Sequence, residues 1–137
     1  SQSAYGPSEG IVTMHVVGDA ERIAAIDERI AVLRDFGGGD LVITAPRWGG
    51  FTEVMPRLAA AGADFVEING NDEIVFTTVE DENSATTPAH ARLLVNSMVI
   101  SPSGKKRSVY LVRIEHLAEA LQSLDDRHIG LEHIFDF

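Results

Sequence analysis

Apolar and polar positions follow two different periods along this chain. Ile11–Val17 (IVTMHVV) is an apolar, β-branched run and predicts a strand. Beyond Gly18-Asp19, Ile23, Ile26, Ile30 and Leu33 recur at helical spacing, with Glu21, Arg22, Asp27, Glu28 and Arg29 filling the opposite face. Asp19 suits the cap of that helix, because its carboxylate can accept from free amides of the first turn. Gly37-Gly38-Gly39 is expected to end it, since glycine enters left-handed conformations at little cost. Leu41–Ala45 reads as a short buried strand closed by Pro46.

A second helix is predicted around Val54, Met55 and Leu58, with Thr52 as its cap, Pro56 near the first turn and Gly62 as its stop. Phe65–Ile68 and Ile74–Val79 read as hairpin partners across Asn69-Gly70-Asn71-Asp72. Glu80–His90 is polar and reads as the longest loop. Strands are expected at Ala91–Ile100 and Ser108–Ile114, with Ser101–Arg107 as the turn between them. Leu117, Leu121 and Leu124 mark a third helix. Leu131–Phe137 then alternates, with Leu131, His133, Phe135 and Phe137 assigned to the buried side.

The resulting order, β-α-β-α-β-β-β-β-α-β, predicts an α+β fold: a mixed or antiparallel sheet with about three helices packed mainly on one face, and ferredoxin-like elements in its last part. One internal echo is present. TEVMPRLAAAGADFVEI and HLAEALQSLDDRHIGLEHIFDF both read as helix, short turn, strand. Residues 1–10 are small, polar and turn-rich and read as a tail or linker, so 11–137 is expected to form a single domain.

Charge changes this picture by exclusion. The net charge is −10, from 21 acidic and 11 basic residues. That argues against nucleic acid, which demands a basic footprint, and against anionic membrane surfaces. No apolar run reaches the roughly 18 residues of a membrane-spanning helix. The chain has no cysteine, so thiolate chemistry and zinc–thiolate sites are absent.

Several segments carry candidate chemistry. Pro46-Arg47-Trp48-Gly49-Gly50-Phe51 holds the only tryptophan, between a buried strand and a helix start. Loops in that position often bind ligands, so Arg47, Trp48 and Phe51 are candidate ligand-binding residues. Lys105 and Arg107 belong to the only basic patch, beside Gly104, and could meet an anion. His15, in mid-strand, and His133, near the end, are candidate polar pocket groups. Glu132, His133 and Asp136, with His116 and His128 upstream, match no standard metal spacing. The glycines at 37–39 follow the predicted helix, the reverse of a dinucleotide loop. No catalytic set, no metal set and no cofactor is therefore assigned.

The expected function is a non-catalytic domain that binds a small ligand or regulates a partner, and that self-associates, as a dimer, through a sheet edge or face. Phe135 and Phe137 motivate the self-association, because both would be wet unless covered. The alternatives are a small ferredoxin-like enzyme using a pocket histidine, and an assembly module of a larger or membrane-associated protein.

Overall fold

A computed structural model of the chain describes residues 10–100 and 104–136. The described residues form two four-stranded antiparallel sheets and three α-helices, an α+β fold. The first sheet holds β1 (Ile11–Val17), β2 (Ala31–Asp35), β3 (Asp40–Pro46) and β4 (Asp64–Ile68) in the order β2-β3-β1-β4. The second holds β5 (Glu73–Asp81), β6 (Arg92–Ile100), β7 (Lys105–Arg113) and β8 (Gly130–Ile134) in the order β6-β7-β5-β8. Helix α1 (Ala20–Ala24) lies between β1 and β2, α2 (Trp48–Ala60) between β3 and β4, and α3 (Leu117–Asp126) between β7 and β8.

The two halves thus repeat one topology. In each, the first strand lies between the third and the fourth, and the second forms an edge. The halves differ in the first crossover: α1 makes it in one, and the segment between β5 and β6 makes it without a helix in the other. The two echoing segments are α2-β4 and α3-β8, which occupy equivalent places. Each helix ends alike. Ala63 N–H donates to Leu58 O over 3.1 Å, and Ile129 N–H donates to Leu124 O over 2.9 Å. The left-handed residue before each is Gly62 in one (φ 91°) and His128 in the other (φ 58°). This is the six-to-one closure of a Schellman cap.

One continuous core serves both halves. Val12, Met14 and Val16 of β1 and Leu41, Ile43 and Ala45 of β3 meet Phe51, Met55 and Leu58 of α2. Phe76, Tyr110, Val112, Leu117 and Leu121 continue it under the second sheet. Helices α2 and α3 pack on each other, and each reaches the other half: α2 touches β8, and α3 touches β4. Burial of this one face follows from the period-2 pattern of the strands, which sends every second side chain inward.

Four sequence expectations are corrected. One sheet was expected and two are found. The helix predicted through Leu33 stops at Ala24. Asp27 Oδ1 accepts from Arg29 N–H and so folds the chain into a local turn. Ala31–Asp35 then pairs with β3, and Gly37–Gly39 forms the tip of the β2–β3 hairpin rather than a helix stop. Leu33, which completed the helical stripe, is 56% exposed. The Asn69-Gly70 turn forms, but β4 and β5 share one isolated bridge, Ile68↔Asn71, and β5 pairs with β7 and β8 instead. Finally, the phase of the last strand is inverted: Ile134 and Asp136 are buried, while Leu131, His133 and Phe135 are half-buried. A register shift between Thr77 and Thr78 opposite β8 accompanies this. Phe137 and the turn residues 101–103 lie outside the described residues.

Candidate functional site

The segment from Arg47 to Phe51 opens α2, which starts at Trp48 rather than at Thr52. Phe51 is fully buried and belongs to the core. No side chain of the segment caps the helix. Instead, Asp136, from the far end of the chain, accepts from Trp48 N–H through Oδ2 at 2.9 Å. Its carboxylate therefore occupies the position that an external anion would take at this helix N-terminus. Arg47 Nε lies 3.5 Å from the same oxygen, close enough for charge attraction but not for a hydrogen bond. Asn69 Nδ2 donates to Asp136 O at 2.6 Å. Asp136 is thus fastened both to the start of α2 and to the residue that follows β4.

Trp48 takes a left-handed backbone (φ 59°) and is 62% exposed, with the Arg47 guanidinium 4.6 Å from its ring centre. A bulky residue held with positive φ carries strain, and this one is maintained by the Asp136 bond. The predicted cap Thr52 has another task. Its hydroxyl accepts from Ile134 N–H at 3.0 Å and stands 3.3 Å from His133 Nδ1. His133 also meets Phe135 edge-on, at 4.6 Å between ring centres.

The remaining candidates are placed as follows. His15 lies on the uncovered face of the first sheet, with Nε2 against Asp40 Oδ1. Lys105 Nζ pairs with Asp81 Oδ1 at 2.8 Å. Arg107 makes a forked pair with Glu132, with contacts of 2.7 Å from Nε and 2.6 Å from Nη2. The Arg107 guanidinium lowers the Glu132 carboxyl below its ordinary range, and Lys105 does the same for Asp81. Lys105 and Arg107 are thus each paired with a carboxylate, while Lys106 Nζ donates to Ser84 O, and Arg47, Trp48, His15 and Lys105 do not converge on one point.

What the folded chain does assemble is a cleft of about 480 Å³ beside the β1–α1 turn. Gly18, Asp19 and Ala20 form one wall, Asp35 and Gly37–Gly39 the other, with Leu41 beneath. Gly18 N–H donates to Gly39 O at 2.9 Å, which ties the walls together. Gly37, Gly38 and Gly39 all have positive φ (86°, 66° and 85°), a region that side chains rarely enter. A Cβ on Gly39 would come within 3.2 Å of Gly18 O. Asp19 Oδ1 accepts from Arg22 N–H and Asp35 Oδ1 from Gly37 N–H, both at 2.9 Å. Each carboxylate is thereby oriented by its own backbone while keeping a second oxygen. The sequence signals for this cleft were the Gly18-Asp19 turn and the glycine triplet. The triplet's meaning depended on β2 being a strand.

A second cleft, of about 380 Å³, opens between α2 and α3 at Pro56, Ala60, Gln122 and Ile129. Gln122 Nε2 donates to Ala59 O across it at 2.9 Å. Beneath the second sheet, the carboxylate of Glu80 is buried without a hydrogen-bond partner among the described residues, beside Tyr110, whose hydroxyl is pushed up in pKa by burial and by the charge of Glu80. No family model, curated protein or solved structure matches the chain.

Proposed function

We propose that this chain is a non-catalytic binding module that takes a small amine-bearing ligand in the glycine-lined cleft. The lining is the observation that carries the reading. The cleft volume of about 480 Å³ falls in the size range of small-molecule sites. The glycines leave backbone groups bare to a ligand, and the two titratable groups of the lining, Asp19 and Asp35, are both carboxylates. A positive ligand is favoured at such a wall pair. Oriented carboxylates and backbone amides bind and orient; the lining brings no nucleophile paired with a base, the arrangement covalent catalysis requires. A ligand there would bridge the β1–α1 turn and the hairpin tip, which gives the module a means of coupling occupancy to the geometry of β2.

The test is a titration of the 15N-labelled chain with small primary amines. The expected result is shifts at the Gly37–Gly39 amides that saturate, and that vanish in Asp19→Asn/Asp35→Asn with the fold retained. Absence of shifts, or the same shifts in that variant, would refute the reading.

Self-association has its own support. Leu93, Leu94 and Val95 on the edge strand β6 are 43%, 41% and 49% exposed. An unpaired edge carrying apolar side chains favours pairing with another chain, and we propose a second copy as the occupant. Sedimentation should give a dimer that Leu94→Lys shifts toward monomer. A monomer at every concentration would remove this part.

A further inference from the structure

We propose that His90, His116 and Glu119 form a site for a divalent transition ion, Zn²⁺ in the first instance, that clamps the β5–β6 segment onto helix α3. One ligand atom from each of the three lies within 4.8 Å of the others. His90 Nε2 stands 3.1 Å from Glu119 Oε2, and His116 Nδ1 stands 3.8 Å from Glu119 Oε1. The two imidazoles stack at 4.4 Å between centres, 13° from parallel. Donors around a tetrahedral zinc with bonds of about 2.0–2.1 Å sit roughly 3.3 Å apart. Bringing the donors to that spacing closes their separations by about 1.5 Å at most, and because the lone pairs of stacked rings lie in parallel planes, one imidazole must also turn out of the stack; all three side chains are partly exposed.

The chemistry of the set suits such an ion. Imidazole nitrogen and carboxylate oxygen are ligands of Zn²⁺, and imidazole favours it over the harder Mg²⁺ and Ca²⁺. Nδ1 is the His116 atom that faces Glu119. His116 Nε2, its other nitrogen, lies 3.9 Å from Glu115 Oε1, beyond hydrogen-bond reach, and that oxygen accepts from Arg113 Nε at 3.0 Å.

The backbone holds the three in place by separate means. His116 and Glu119 belong to the start of α3, at i and i+3 on one face. His90 is presented from the other side with a left-handed backbone (φ 62°), an uncommon state for a residue with a side chain. The segment before it is anchored to α3. Ala89 N–H donates to Ser123 Oγ at 2.9 Å, Thr87 O accepts from Arg127, and Pro88 is buried. The ion would add a tie in the half of the molecule whose first crossover has no helix. Three protein donors leave at least one position for water or a further ligand.

The experiment uses the untagged chain in a non-coordinating buffer, titrated calorimetrically with Zn²⁺ and followed in parallel with Co²⁺ by visible absorption. The expected result is one ion per chain and a Co²⁺ spectrum of low-symmetry nitrogen–oxygen coordination. His90→Ala, His116→Ala and Glu119→Ala should each weaken binding by roughly tenfold or more. Zn²⁺ should raise the thermal midpoint of the parent chain and not that of His90→Ala/His116→Ala. His90→Gln/His116→Gln, checked by circular dichroism, replaces the alanine pair if that pair does not fold. Binding unchanged in the double variant, or no stoichiometric binding to the parent chain, would overturn the proposal.

Discussion

Two helices of this chain end in the same cap, yet only one has the residue that the cap prefers. Gly62 closes α2 and His128 closes α3, both left-handed. A side chain in that region costs roughly 1–2 kcal/mol relative to glycine. His128→Gly should therefore stabilise the chain by about 1 kcal/mol, read as a rise in the urea midpoint at unchanged slope; a loss would mean that the His128 side chain has contacts of its own. Asp136 is the opposite case. It is buried, accepts from Trp48 N–H and faces Arg47. Asp136→Ala removes a charge-assisted hydrogen bond and leaves the buried Arg47 Nε without its carboxylate, so a loss of about 2 kcal/mol is expected in the same measurement. Asp136→Asn should recover part of it.

At the scale of elements, the segment from Ile23 to Leu33 shows how a helical stripe can be read from residues that do different work. Ile23 and Ile30 are both buried, one from a five-residue helix and one from the turn that leads into β2. Leu33 is outside the core. Ile30→Ala should thus cost about 2–4 kcal/mol, as removal of a buried branched side chain does. Leu33→Lys should cost less than about 0.5 kcal/mol, as an exposed change does. Equal losses at the two positions would restore the helix. The spacing of apolar residues was legible here, but the choice between helix and strand was not, because β3 offers unpaired backbone groups that only a strand can satisfy. The candidate cleft was hidden for the same reason. The glycine triplet and Asp19 were visible, and Asp19 caps α1 as expected, but the cleft exists because the hairpin tip folds back over the β1–α1 turn.

For the whole molecule, two properties follow from the shared core and the charge pattern. The core runs without interruption from Val12 to Ile134, and α2 and α3 each contact the opposite sheet. Thermal unfolding should be one transition, with calorimetric and van't Hoff enthalpies equal; two resolved transitions would mean that the halves melt separately. Several carboxylates are held below their ordinary range in the fold: Asp27 by Arg29 and Arg57, Asp81 by Lys105, and Glu132 by Arg107. The unfolded chain therefore binds more protons than the folded chain at acid pH, and stability rises with pH. The contribution is complete above about pH 5 and declines once pH falls below about 4, where unfolded carboxylates protonate. Exposed pairs are screened by salt, so the loss should be steepest at low ionic strength. Denaturant midpoints taken at pH 6, 4 and 3 test the sign.

By itself the sequence determined the α+β class, nearly every strand, the caps at Asp19 and Gly62 and the echo between α2-β4 and α3-β8, because these depend on neighbours within a few residues. Tertiary structure decided that the strands divide into two sheets of the same order. It also turned β2 from helix to strand, inverted the phase of β8, gave Asp136 to the start of α2 and brought His90 to His116. Each of these depends on groups far apart in the chain that satisfy one another's hydrogen bonds or charge, and local pattern carries no record of which distant partner will be met.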